Sequence, residues 1–99
     1  CLQLDATRCG GYTGFLAGAA LAASANREVS AHCAPSLHAP VALVVPNVRH
    51  VEWFADHARL EPVLFDGVPV VQDGRLTTSG DAPGHGMTLS ERAAEFRVA

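Results

Sequence analysis

Leu2-Gln3-Leu4-Asp5, Val29-Ser30-Ala31-His32 and His50-Val51-Glu52 decide how this chain is read. Each is a brief strand-like run that ends in a residue suited to acid–base chemistry, and helical segments separate one from the next. The predicted order is strand, helix, strand, helix, strand, which builds a parallel sheet. Asp5, His32 and Glu52 then occupy C-terminal strand ends, the rim on which parallel α/β sheets and barrels assemble their sites.

The intervening segments support that order. Thr7-Arg8-Cys9-Gly10-Gly11 is a loop whose paired glycines permit a tight turn. Thr13 is a candidate N-cap for a helix over Gly14 to Ala25, where alanine, the best helix former, dominates. Its small side chains suit close packing on a sheet, and Asn26 can end it in a left-handed cap. Ser36 is the expected cap of a second helix from Leu37 to Val45, with Pro40 near its first turn and Pro46 closing it. Arg49 to Trp53 is the third strand. Beyond it the strand–helix rhythm stops. Val68 to Thr78 reads as a hairpin about Asp73-Gly74, Asp81 to Gly86 as an irregular loop, and Thr88-x-x-Glu91 as a capping box for a short last helix to about Arg97.

Composition bounds the function. The chain has 99 residues, is 48% hydrophobic and carries a net charge of −3 with seven Lys and Arg. That is enough apolar material for a core, and no basic stripe suits nucleic acid or an anionic membrane surface. Three cysteines, Cys1, Cys9 and Cys33, make no C-x-x-C and leave one unpaired, so a reducing cytoplasm is the expected compartment. Phe15 to Ala25 has a signal-like apolar run but no basic leader, and is read as a packed helix. The first residue is Cys and falls in a strand, which reads as a partial chain.

The three strand-end groups suit acid–base work. A carboxylate beside an imidazole holds one ring nitrogen and supports the protonated form, which tunes the other nitrogen as general base or acid. A further acid can hydrogen-bond a substrate oxygen as charge builds on it. Taken singly, each has a commoner fate: Asp5 as a turn residue, His32 as a satisfied loop-edge histidine, Glu52 as an exposed strand residue. Their recurrence at successive strand ends favours function. Cys9, His32, Cys33 and His38 lack zinc-finger spacing, so no metal ligands are assigned within the chain. Cys33 follows His32 on an extended segment, where neighbours point apart, and is read as a buried, inert thiol. His50 and His57 are read as solvated surface.

Asp5-Ala6-Thr7-Arg8-Cys9-Gly10-Gly11 with Tyr12-Thr13-Gly14 resembles the D-x-x-x-x-G-G-x-T segment after the sixth barrel strand of the enolase superfamily, mandelate racemase subgroup. Ser30 to Pro35 is similar to the end of its seventh strand, and Val51-Glu52-Trp53-Phe54 to its eighth. Gly67 through Gly86 resembles the return to the capping domain. The resemblance implies an α/β fold, the C-terminal portion (about the last three strands) of a (β/α)8-type TIM barrel with a short α+β tail. Residues 1–60 would be the partial barrel and 61–99 the tail of the capping region.

It further implies a Mg2+-dependent enzyme that abstracts the proton α to a carboxylate, a pattern known for this superfamily. By position His32 is the general base or acid, Asp5 its dyad partner, and Glu52 a protonated donor to the enediolate oxygen. The Mg2+ ligands are expected upstream of this chain. The substrate is a small carboxylate, a sugar acid or 2-hydroxy acid, and the full-length protein is expected to be a homo-oligomer. Acid-sugar dehydration is favoured. Racemisation or epimerisation of a 2-hydroxy acid, and an inactive truncated fragment without metal ligands, are the alternatives.

Overall fold

A computed structural model describes residues 1–78 and 81–98; positions 79, 80 and 99, which fall within the expected tail, lie outside the described residues. In chain order the elements are β1 (Leu2–Leu4), α1 (Gly11–Ser24), β2 (Val29–Ala31), α2 (Pro35–Val44), β3 (Val48–Val51), α3 (Ala55–Leu64), β4 (Phe65–Asp66), β5 (Val70–Gln72), β6 (Arg75–Thr77), β7 (Thr88–Leu89) and a terminal 3-10 turn (Glu91–Phe96). The α/β class and the strand–helix–strand–helix–strand order are as expected from sequence.

The first three strands form one parallel sheet with β2 in the centre. Its residues Val29, Ser30 and Ala31 are all buried, because helices and neighbouring strands cover them. Phe15, Ala19 and Ala22, spaced on one face of α1, form the core with Ala6, Val29, Ala31, Val41 and Val45. The small residues of α1 permit a close approach: a Cβ added to Gly18 would stand 3.0 Å from a Leu4 methyl.

Helix α1 begins at Gly11, not after Thr13. Gly10 is the N-cap at φ 92, a left-handed conformation that glycine adopts freely, and no side chain caps the helix. Its other end is as expected: Asn26 takes φ 53, and the N–H groups of Asn26 and Arg27 reach back to Ala23 and Ala22. This is the Schellman arrangement.

Helix α2 also starts earlier than expected. Pro35 fills the first helical position, where its missing N–H costs nothing, and Ser36 lies buried inside the helix rather than capping it. Its hydroxyl donates to Glu61 of α3. Pro40 is accommodated within the helix.

The rhythm does not stop at β3. Helix α3 follows directly and spans position 60, and the sequence concealed it because it buries no residue and carries Pro62. The hairpin of β5 and β6 turns at Asp73 (φ 51) and Gly74 (φ 73), as expected for a two-residue loop. Thr88 is not a helix cap; it lies in β7, antiparallel to β4. Ser90 is the cap instead: its Oγ accepts the Ala93 N–H at 3.2 Å and donates to the Val63 carbonyl at 2.6 Å. The last helix is a 3-10 turn. No helix among the described residues is long and apolar enough to cross a membrane.

Candidate active site

Strand register brings the three sequence-predicted residues together. Leu4 pairs with Ala31, and Ala31 with Val51, so Asp5, His32 and Glu52 are the next residue on each strand. The ladder continues into them through His32 N–H to Leu4 O (2.8 Å) and Glu52 N–H to Ala31 O (3.1 Å). A register shift is needed for this. Val29 pairs with Val48 but Ser30 with His50, so Arg49 is an extra residue on β3. Without that bulge Val51 would take the place opposite His32, and the side-chain faces of the strand end would invert.

Asp5 and His32 make a direct pair. Asp5 Oδ2 lies 3.1 Å from His32 Nδ1, and the Arg8 Nε reaches the same oxygen at 3.2 Å. The other oxygen, Oδ1, accepts the Thr7 N–H at 2.8 Å and the Thr7 hydroxyl at 2.7 Å. Burial by itself would raise the carboxyl, but the Thr7 hydroxyl, His32 and the Thr7 N–H outweigh it and lower its pKa to about 2. Asp5 is therefore a carboxylate that holds the imidazole by Nδ1 and leaves Nε2 for chemistry. Gln3, Asp5, Arg8, Cys9 and His32 line an open depression beside this pair.

Glu52 differs from the sequence expectation of a protonated donor. Its Oε2 accepts the Cys33 N–H at 2.9 Å, and its Oε1 accepts from the Gln3 amide. The Cys33 N–H outweighs partial desolvation and, with the Gln3 amide and the nearby His32 and His50, pulls this carboxyl below the usual carboxylate range. Both neighbours donate, so in this structure Glu52 is an acceptor.

Cys33 is also not the inert thiol expected. Its φ of 51 turns the chain sharply, as does the φ of 35 at Ala34. The extended-strand rule fails here: half-buried Cys33 folds its Sγ back to 3.5 Å from His32 Nε2. His32 Nε2, Cys33 Sγ and a Glu52 oxygen all lie within 4.8 Å of one another. His57 is not simply solvated either, since its Nδ1 pairs with Glu61 Oε1 at 2.9 Å.

His38 was missed as a site-building residue. It is fully buried; its Nε2 accepts the Ala6 N–H at 2.8 Å, and its Nδ1 donates to the carbonyls of Cys33 and Ala34 at 2.9 Å. Its ring therefore joins the loop after β1 to the loop after β2. A histidine three residues inside a helix gives no sequence sign of this, because its partners are all backbone.

The described residues do not fit a hard cation such as Mg2+, which takes octahedral oxygen ligands. Asp5 has both oxygens engaged by Thr7, Arg8 and His32, and the His32–Cys33–Glu52 group offers oxygen from Glu52 alone.

Comparison with known proteins gives a consistent picture. The family described as Enolase C-terminal domain-like matches residues 1–93. L-talarate/galactarate dehydratase from Salmonella typhimurium is 37% identical over 98 residues, covering 96% of this chain and 23% of that protein. Its crystal structure liganded with Mg and L-lyxarohydroxamate superposes with a TM-score of 0.81 at 33% identity, over 98% of this chain and 24% of that one. A mandelate racemase/muconate lactonizing enzyme-like protein from Rubrobacter xylanophilus gives a TM-score of 0.88 at 41% identity, over 99% of this chain and 27% of that one. An enolase from Bradyrhizobium complexed with magnesium and mandelic acid gives 0.80 at 29% identity, over 96% and 25%. The chain thus spans about a quarter of the length of these relatives.

Proposed function

Because this chain belongs to the Enolase C-terminal domain-like family, we propose that it supplies the acid–base rim of an enzyme that removes the proton α to a carboxylate, an acid-sugar dehydratase. The observation that carries this is the Asp5 Oδ2–His32 Nδ1 contact of 3.1 Å across adjacent parallel strand ends. In this reading residues 1–60 are the end of a (β/α)8 barrel and 61–99 its tail toward a capping region. Mg2+ is held by carboxylates outside these 99 residues, and the whole enzyme is a cytoplasmic homo-oligomer.

Asp5 anchors Nδ1–H, so the His32 lone pair is at Nε2, where substrate takes the place of the Cys33 Sγ now 3.5 Å away. The α C–H bond breaks, its proton passes to Nε2 and its electron pair becomes the enediolate. The resulting imidazolium is stabilised by the ionised Asp5. It then returns a proton to the β-hydroxyl, which leaves as water, and the enol product becomes a 2-keto acid. Glu52 donates to the enediolate oxygen in this scheme. For that to happen, substrate entry must displace Gln3 and desolvate the carboxyl enough to protonate it.

The dehydratase reading is supported by the 37% identity to a talarate/galactarate dehydratase. A second reading, racemisation or epimerisation of a 2-hydroxy acid, is supported by the mandelic acid complex of the Bradyrhizobium relative. One experiment separates them. The polypeptide from the complete coding frame is incubated in D2O with acid sugars and 2-hydroxy acids, and α-deuteration and 2-keto acid formation are followed by NMR. Dehydration gives 2-keto acid, racemisation gives deuteration without it, and His32→Asn lowers either by about 100-fold or more. Absence of both signals in the unmutated enzyme, or no effect of His32→Asn, would defeat the proposal.

A further inference from the structure

The left-handed turn at Cys33 gives His32 a second neighbour that the acid–base scheme does not use. We propose that His32, Cys33 and Glu52 form a zinc-binding site, with His32 Nε2, Cys33 Sγ and one Glu52 oxygen as ligands and a fourth position open to water.

Geometry is the first support. A tetrahedral Zn2+ with bonds of about 2.3 Å to sulfur and about 2.0 Å to nitrogen holds those two atoms about 3.5 Å apart. The Sγ–Nε2 separation here is 3.5 Å. The third ligand lies in the same cluster, within 4.8 Å of both, so metal binding draws one Glu52 oxygen closer and exchanges its Gln3 or Cys33 N–H partner for the ion.

The surroundings of His32 are the second support. Metal-ligating histidines commonly give their other ring N–H to a carboxylate, which fixes the tautomer and makes the ligating nitrogen more basic. Asp5 occupies that place on His32 Nδ1, and Thr7 and Arg8 hold Asp5 in turn. Backbone conformation is the third. Cys33 at φ 51 and Ala34 at φ 35 are non-glycine residues in the left-handed region, a strained arrangement of the kind found where function requires it. His38 holds both carbonyls of that turn.

Ligand chemistry chooses the metal. A thiolate, an imidazole and one carboxylate suit a borderline-soft ion such as Zn2+ and not Mg2+. The site stands without the proposed dehydratase chemistry. The two share His32, so zinc on Nε2 would occupy the lone pair that takes the α-proton and would inhibit turnover.

The test is titration of the reduced polypeptide from the complete coding frame, its Mg2+ sites kept saturated, with Co2+ under anaerobic conditions. The expected result is one equivalent bound, with a thiolate-to-cobalt charge-transfer band and tetrahedral visible bands, bleached by Zn2+ and unaffected by a large excess of Mg2+. Cys33→Ser abolishes the charge-transfer band, whereas Cys1→Ser and Cys9→Ser keep it. Glu52→Gln keeps the band at weaker affinity, and Asp5→Asn weakens binding by about tenfold. Far-ultraviolet circular dichroism confirms that each variant retains its secondary structure. Absence of a band, its survival in Cys33→Ser, or its loss in Cys1→Ser or Cys9→Ser would overturn the assignment.

Discussion

His38 Nε2 accepts the backbone N–H of Ala6 at 2.8 Å, across 32 residues of chain, from a ring with no exposed surface. Ala6 follows Asp5, and the other ring nitrogen holds the two carbonyls that follow His32. One side chain therefore sets the spacing of the two strand ends that carry Asp5 and His32. Replacing it with leucine keeps an apolar side chain in the space but orphans the Ala6 N–H. His38→Leu is expected to cost about 1–3 kcal/mol, read as a lower denaturation midpoint at unchanged slope. A loss below about 0.5 kcal/mol would show that the ring fills space without holding the loops.

Asp5 makes stability depend on pH. Its folded pKa is lowered to about 2 from the ordinary carboxylate value of 3.8. Its contribution is fully present above the unfolded value and is lost as pH falls through the folded one. With allowance for solvent screening the contribution is on the order of 1 kcal/mol. Asp5→Asn is expected to be less stable than the parent at neutral pH, with the gap narrowing between about pH 4 and 2. Denaturation curves across that range check it; a gap that holds constant down to pH 2 would mean the loss is not one of ionisation.

Two glycines of α1 that look equivalent in sequence are not. A Cβ at Gly14 would stand 1.7 Å from the Cys9 carbonyl oxygen, which is backbone and cannot move aside. A Cβ at Gly18 would meet only the Leu4 methyls, at 3.0 and 3.2 Å. Gly14→Ala is expected to cost about 2–3 kcal/mol by overpacking the loop that follows Asp5. Gly18→Ala is expected to be near neutral, since a helix-propensity gain of up to about 1 kcal/mol offsets the shift of Leu4. Thermal melts of the two variants side by side decide it, and equal losses would contradict this packing.

How much of this was legible in sequence follows from the range of each interaction. The strand ends at Asp5, His32 and Glu52 and the Asp73-Gly74 turn are written in local pattern and were readable. The bulge at Arg49, which brings Glu52 into line with His32, depends on pairing with β2 and leaves no local mark. The position of Cys33 is not legible from an extended-strand pattern, because the chain takes φ 51 there. The surroundings of Glu52 are likewise set at long range: the groups that donate to it, Gln3 and the Cys33 N–H, are 49 and 19 residues away. Helix α3 has no fully buried residue, so it has no strong apolar stripe to read.

The open edges of the sheet bear on what these 99 residues do alone. Among the described residues, strands β1 and β3 each pair on one side only, and Leu2, Trp53 and Phe54 are exposed. Unpaired parallel edges beside bare apolar side chains invite association. The purified chain is expected to sediment as oligomers or aggregates. No oxygen-rich cation site is found among the described residues, and an enediolate without a metal loses several kcal/mol of transition-state stabilisation. Mg2+ is therefore expected to produce no dehydration or α-deuteration by the 99-residue chain, even with Asp5 and His32 in contact. Stable monomers by sedimentation would contradict the first expectation. Mg2+-dependent 2-keto acid formation, lost in His32→Asn, would contradict the second and show that these three strand ends suffice for catalysis.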